Sequence, residues 1–140
     1  MISWFQRLLG KREADTAVIG RRGEREAEKL LKKKGYLVLA RNWRSGRDEI
    51  DLICLDGKAV VFVEVRTRTK GALVSGYDSI NQRKREALRR VCRNYFSQMK
   101  PKPITLRFDV VELEHEEGAI IASRHFENVP LFSKSAYRSN

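Results

Sequence analysis

Apolar residues recur at three- and four-residue spacing in two stretches of the chain. Between them they alternate or run together, so helices and strands can be assigned before any chemistry is considered. Asp15 and Thr16 are suitable caps for a first helix that runs to Lys34 and stops at Gly35, with Gly20, Gly23, Ala27, Leu30 and Leu31 as its small or apolar stripe. Tyr36 to Asn42 reads as a strand, Trp43 to Asp48 as a basic loop, and Glu49 to Leu55 with Ala59 to Arg68 as the arms of a hairpin. After a glycine-containing loop, Thr69 to Tyr77, a second helix opens on a Ser79/Gln82 capping box. Its stripe contains Leu88, Val91, Cys92, Tyr95, Phe96 and Met99, and Pro101 and Pro103 end it. Ile104 to Leu113 and Ala119 to Ser123 read as further strands.

Helix, three strands, helix, strands is the order of an α/β fold, a single mixed central sheet flanked by helices, in which the second helix suits a crossover between parallel strands. Ahead of Asp15, the residues Trp4, Phe5, Leu8 and Leu9 repeat at helical spacing before a charged link, Lys11 to Ala14. The expected division is an N-terminal helical or linker segment at 1–15, a domain at 16–132 and a loose polar tail at 133–140.

The hairpin carries the chemistry. With Asp56-Gly57 as a two-residue turn, Ile53 faces Val60, Asp51 faces Phe62 and Glu49 faces Glu64; a slip of two residues brings Asp51 opposite Glu64. In either register Glu49, Asp51, Phe62, Glu64 and Arg66 project from one side of the strands. Like charges so close among Val and Ile call for a cation. A solvated face would explain one such acid, but here Val60 and Phe62 share the acids' face while Val61, Val63 and Val65 fill the other, which is the pattern of a covered sheet. On the first helix Glu24 falls on the sheet-facing stripe, either as a helix-favouring residue paired with Arg21 or a lysine, or as a functional acid. Lys84, in the first turn of the second helix, lies on its stripe side and can reach toward such a site.

Composition narrows the partner. The 140 residues are 41% apolar, enough for one core, and 34% charged, with a net charge of +11. An isoelectric point near 10.1 favours a polyanion, nucleic acid before an anionic membrane surface. Arg21, Arg22, Arg44, Arg47, Arg68, Arg85 and Arg89 are the candidate phosphate contacts. Cys54 and Cys92 lack metal or redox spacing and read as buried thiols in a reducing cytoplasm, while His115 and His125 read as surface histidines. No stretch is long and apolar enough to span a membrane, and no P-loop, nucleophile or dinucleotide motif occurs.

Paired carboxylates in a basic domain suit Mg²⁺ (or Mn²⁺), which takes one or two protein carboxylates and fills its shell with water and phosphate oxygens. Asp51 and Glu64 are the candidate metal ligands, Glu49 and Lys84 supporting groups, and phosphodiester hydrolysis the chemistry expected.

Six ordered blocks then carry a resemblance: Gly23-Glu24-x-x-Ala27, Gly35-Tyr36, Asn42-x-Arg44, Glu49-Ile50-Asp51-Leu52-Ile53, Val61-Phe62-Val63-Glu64-Val65-Arg66 and Arg107-Phe108-Asp109-Val110-Val111. Across residues 16–114 the chain resembles the YraN-like family of uncharacterised bacterial proteins, a branch of the PD-(D/E)XK nuclease superfamily related to Holliday-junction resolvases. The resemblance implies an αβββαβ restriction-endonuclease-like core and Mg²⁺-dependent cleavage of DNA, branched forms included, with a homodimer allowed. It also implies Glu24 as the helix acid, Asp51 and Glu64 as metal ligands, and Arg66 at the superfamily's lysine position, making Glu24, Asp51, Glu64 and Arg66 the catalytic set. Arg66 stays protonated and can steady charge but cannot act as a base. The alternative is a non-catalytic nucleic-acid-binding or assembly module on the same scaffold, and a third reading is a peripheral membrane protein using Trp4 and Phe5.

Overall fold

The computed structural model describes residues 3–72, 80–103 and 105–132, without the side chains of 11–14. Helix α1 (Trp4–Lys33) precedes strands β1 (Leu37–Ser45), β2 (Asp48–Asp56) and β3 (Ala59–Thr69); helix α2 (Gln82–Gln98) then leads to β4 (Thr105–Glu116) and β5 (Ala119–Phe126). The strands form one sheet in the order β1-β2-β3-β4-β5. Only β3 and β4, which α2 connects, are parallel; the other neighbours are antiparallel. This is the expected α/β architecture with the restriction-endonuclease-like order of elements.

Each helix covers one face. On one side Ala27 and Leu31 of α1 pack on Leu52, Cys54, Val61, Val63, Val111 and Leu113. On the other, Leu88, Val91 and Cys92 of α2 cover Ile53, Val60, Phe62, Leu106, Phe108 and Val110. The alternation expected for β3, Val60 and Phe62 to one side and Val61 and Val63 to the other, is observed, and so is burial of both cysteines as free thiols.

Four local expectations are corrected. Asp15 and Thr16 do not begin a helix: α1 is continuous through them for 30 residues from a capping box between Ser3 and Gln6. Lys-Arg-Glu-Ala at 11–14 is a run of strong helix formers with no breaker, so nothing stops the helix there. The basic loop at 43–48 is strand up to Ser45, because Trp43 has a core-side partner in Tyr95 at 5.1 Å between ring centroids. Gly46 at φ +60 then allows a tight turn. In the hairpin Asp56 pairs with Ala59, so the turn is Gly57-Lys58 rather than Asp56-Gly57. Gly57, at φ +59, fills the first central position, as a type II′ turn requires. Helix α2 is capped by Asn81, whose side chain accepts from Lys84 N–H at 2.9 Å. Ser79 and the tail at 133–140 lie outside the described residues. Among the described residues no helix is long and apolar enough to cross a membrane.

Candidate functional site

The shifted hairpin register sets the site. Pairing of β2 with β3 runs from Asp56–Ala59 through Ile53–Phe62 to Leu52–Val63, so Asp51 meets Glu64 at the end of the ladder and not Phe62. Strict alternation also breaks in β2, since Ile50 and Ile53 both join the α2-side core while Leu52 faces α1. At this break the Asp51 side chain takes over a backbone role, accepting the Val65 N–H on Oδ2 at 2.8 Å.

Glu64 is 5% exposed, with Oε1 3.6 Å from Lys84 Nζ and Oε2 buried without a hydrogen-bond partner among the described residues. Its carboxyl is pushed well above the usual range, first by burial and then by the charge of Asp51, against the pull of Lys84 and Arg66. Asp51 is raised as well, by burial above all and also by Glu49, with Val65 N–H and Lys84 opposing. Glu24 completes the group from α1. Burial and the charges of Asp51 and Glu49 raise it, and a hydrogen bond from Asn42 and the charge of Arg21 pull it down. Glu24, Asp51 and Glu64 line one cleft of about 620 Å³, with Thr16, Ile19 and Gly20 of α1 forming its helical wall.

The helix can come this close because Gly23 has no side chain: a Cβ there would collide with Thr67 Oγ1. On the opposite flank Lys84 shares a hollow of about 360 Å³ with Arg47, Arg83 and Arg90. Arg66 is half-buried on β3, beside Glu112 in the parallel register. Glu49 is held by Arg44 Nη2 at 3.1 Å.

The expected arginines divide by employment. Arg21, Arg22 and Arg47 are exposed, Arg22 giving one hydrogen bond to the Gly118 carbonyl, and Arg68 lines the acidic cleft. Arg85 and Arg89 are tied to the Ile80 and Leu131 carbonyls, which makes them braces of the fold more than free phosphate contacts. Arg83 and Arg90 line the hollow that also holds Lys84, with Arg90 bonded to Asp48.

Sequence reasoning passed over two features. Asn42 sits at φ +47, a left-handed conformation that asparagine tolerates, and from there bonds Glu24. His125 is not a surface residue: its side chain is 2% exposed. Lys34 donates to its Nδ1 at 2.8 Å, so Nε2 carries the hydrogen given to Asp109, also at 2.8 Å. Fully buried Asp109 further accepts from Arg107 Nε and Nη2 and from Asn128 N–H. His115 also departs from a surface reading, because its Nδ1 is buried, without a partner among the described residues. The signal for the Asp109 hub was the Arg107-Phe108-Asp109 block, which places base and acid on one side of β4.

Among the described residues no three His, Cys, Asp or Glu side chains converge into a ready cage for an ion. What Asp51 and Glu64 offer is two carboxylates, one with an unpaired buried oxygen, inside an open cleft. That donor set fits a hard cation that keeps part of its own shell, such as Mg²⁺. Glu24 stands near enough to act on it through charge or water.

The profile of the uncharacterised protein family UPF0102 matches residues 23–113, from the glycine at the helix–sheet contact to the end of the β4 core. The chain is similar to a UPF0102 protein of Porphyromonas gingivalis, 36% identical over 122 residues, which is 86% of this chain and 90% of that one. It is also similar to one of Nitratidesulfovibrio vulgaris, 41% identical over 106 residues, 76% and 78% of the two chains. A third, of Caldicellulosiruptor saccharolyticus, is 41% identical over 107 residues, 75% and 85% of the two chains. By profile and by identity, the chain belongs to the uncharacterised family UPF0102, the YraN-like family, which is PD-(D/E)XK nuclease-like.

Proposed function

We propose that this protein is a Mg²⁺- or Mn²⁺-dependent endonuclease that hydrolyses phosphodiester bonds of DNA. The observation that carries the reading is the Glu64 carboxylate, buried beside Asp51 with one oxygen unpartnered and the other facing Lys84. A buried acid in that condition costs stability, and the cost is relieved when a cation joins it.

Asp51 and Glu64 hold the ion, with Asp51 fixed by Val65 N–H so that only its remaining acceptor capacity faces the cleft. The bound ion supplies Lewis acidity toward the phosphate and lowers the pKa of a coordinated water. From the helical wall, Glu24 would orient the attacking water. Lys84 and Arg66 keep positive charge beside the acids and steady the negative charge that develops on the phosphate; Arg66, always protonated, takes no part in proton transfer. Arg21, Arg22, Arg47 and Arg68 hold the backbone on either side without reading bases, so affinity falls steeply with salt.

The test incubates purified protein with linear, single-stranded and four-way-junction DNA in Mg²⁺, Mn²⁺ or EDTA, beside Asp51→Asn and Glu64→Gln. Cutting in either metal, none in EDTA, and a loss of at least about 100-fold in each variant with the fold retained is the expected result. Cutting that survives both substitutions moves the site elsewhere. Binding without cutting under every condition makes the protein a nucleic-acid-binding module on a nuclease scaffold.

A further inference from the structure

We infer that the N-terminal half of α1 extends the acidic cleft into a stacking platform for unpaired nucleotides, so that the substrate is a strand with single-stranded character next to the cut. This deepens the nuclease reading and rests on it for the role of the cleft.

Phe5 and Leu9 lie on the cleft's side of α1 and Trp4 reaches round its edge, while exposed Val18 lies on the opposite side. Phe5, Leu9, Thr16 and Gly20 follow one another at helical spacing, as do Trp4, Leu8 and Ile19 in the neighbouring row. Thr16, Ile19 and Gly20 wall the cleft that contains Glu24, Asp51 and Glu64. Farther along the same face Trp4 is 77% exposed, Phe5 62% and Leu9 44%. At about 1.5 Å per residue Phe5 stands about 28 Å along the helix from Glu24, a distance that several nucleotides bridge. Ser3 and Gln6 cap this end against fraying, so the rings are held on an ordered helix.

Nucleobases suit this face better than the other candidate occupants. Aromatic rings on a basic surface that leads into a phosphate-binding cleft offer π faces to bases and positive charge to the backbone, and only unpaired bases can accept the stack. The chain's net charge of +11 and the exposed Arg7, two residues after Phe5, supply the charge. An apolar run from Trp4 to Leu9 covers barely two helical turns, a small area for holding a bilayer.

Binding measured in EDTA separates this inference from catalysis. Fluorescein-labelled oligothymidylate, a duplex and a forked duplex would be titrated with wild type, Trp4→Ala/Phe5→Ala and the conservative Trp4→Phe, with circular dichroism to verify the helix. The expected result is about a tenfold or greater weakening for oligothymidylate and the fork in the double variant, less than about threefold for the duplex, and near-wild-type binding in Trp4→Phe. Equal losses on all three probes, or none, overturn it. So does loss of binding to phosphatidylglycerol vesicles, or of self-association in sedimentation, with DNA binding unchanged, because the face is then a lipid or protein contact. If wild type never cuts DNA yet keeps the ring-dependent preference, the nuclease reading fails and the platform stands; cutting without that preference leaves the nuclease and removes the platform.

Discussion

Asp109 and Glu64 are buried carboxylates on adjacent strands of one sheet, and they are treated in opposite ways. Asp109 has four donors: two nitrogens of Arg107, the His125 ring and the Asn128 amide. Burial pushes its pKa up, but the bonds from His125, Arg107 and Asn128 outweigh it and hold the carboxyl below the usual range. Glu64 has one cation at 3.6 Å and an oxygen with no partner, and its pKa goes up. Burial is common to both, so burial does not distinguish a structural acid from a functional one. The unused acceptor capacity does, because no group among the described residues fills it and a cation can.

The largest effect expected from breaking this contrast is on stability. Asp109→Ala leaves Arg107 buried without its main partner and should cost about 3 to 5 kcal/mol in denaturant unfolding. Glu64→Gln, by contrast, should leave the metal-free protein as stable as wild type or more so at neutral pH. A loss at position 64 as large as at 109 would erase the distinction.

Next in size is an opposite pH dependence. Glu64 binds its proton more tightly folded than unfolded, so its contribution is present at low pH. It is lost as pH rises from the ordinary carboxylate value near about 4.3 through about 8. Glu64→Gln should flatten that decline in melts without divalent ions. Asp109 has the reverse sign: its contribution holds above about 3.9 and is lost as pH falls below that.

Smaller still, Gly23→Ala should destabilise by about 1 to 3 kcal/mol by lifting α1 off Thr67, with part of the loss recovered by Thr67→Ala. Recovery of stability with no recovery of cleavage would show that the height of α1 over the cleft matters to the site itself. Lys84→Gln should reduce cleavage by about tenfold and leave the melt nearly unchanged, since the side chain is 41% exposed.

What was legible in the sequence follows from this contrast. The faces of β3 were readable because the apolar stretch from Val60 to Val65 runs long enough for alternation to show. Asp51, Glu64 and Lys84 could be set near one another from strand and helix periodicity, and Glu24 joined them through the family resemblance; the structure places Glu24, Asp51 and Glu64 on one cleft with Lys84 beside Glu64. The hairpin register was misjudged because Asp-Gly signals a turn without saying which central position the glycine fills. The Asp109 hub was hidden because the groups around Asp109 and Arg107, namely Lys34, Tyr36, Asp56 and His125, lie far apart in the chain and meet only when the whole sheet assembles. The unbroken α1 was missed because Asp15 and Thr16 are good caps only where the helix has reason to start.

Calorimetric titration of Mn²⁺ into the metal-free protein tests the central claim most directly. The account predicts binding to wild type, its loss in Asp51→Asn and Glu64→Gln, and its retention in Glu28→Gln, whose carboxylate is already engaged by Lys32 and Arg41. No binding to wild type, or binding that both cleft substitutions leave intact, would contradict it.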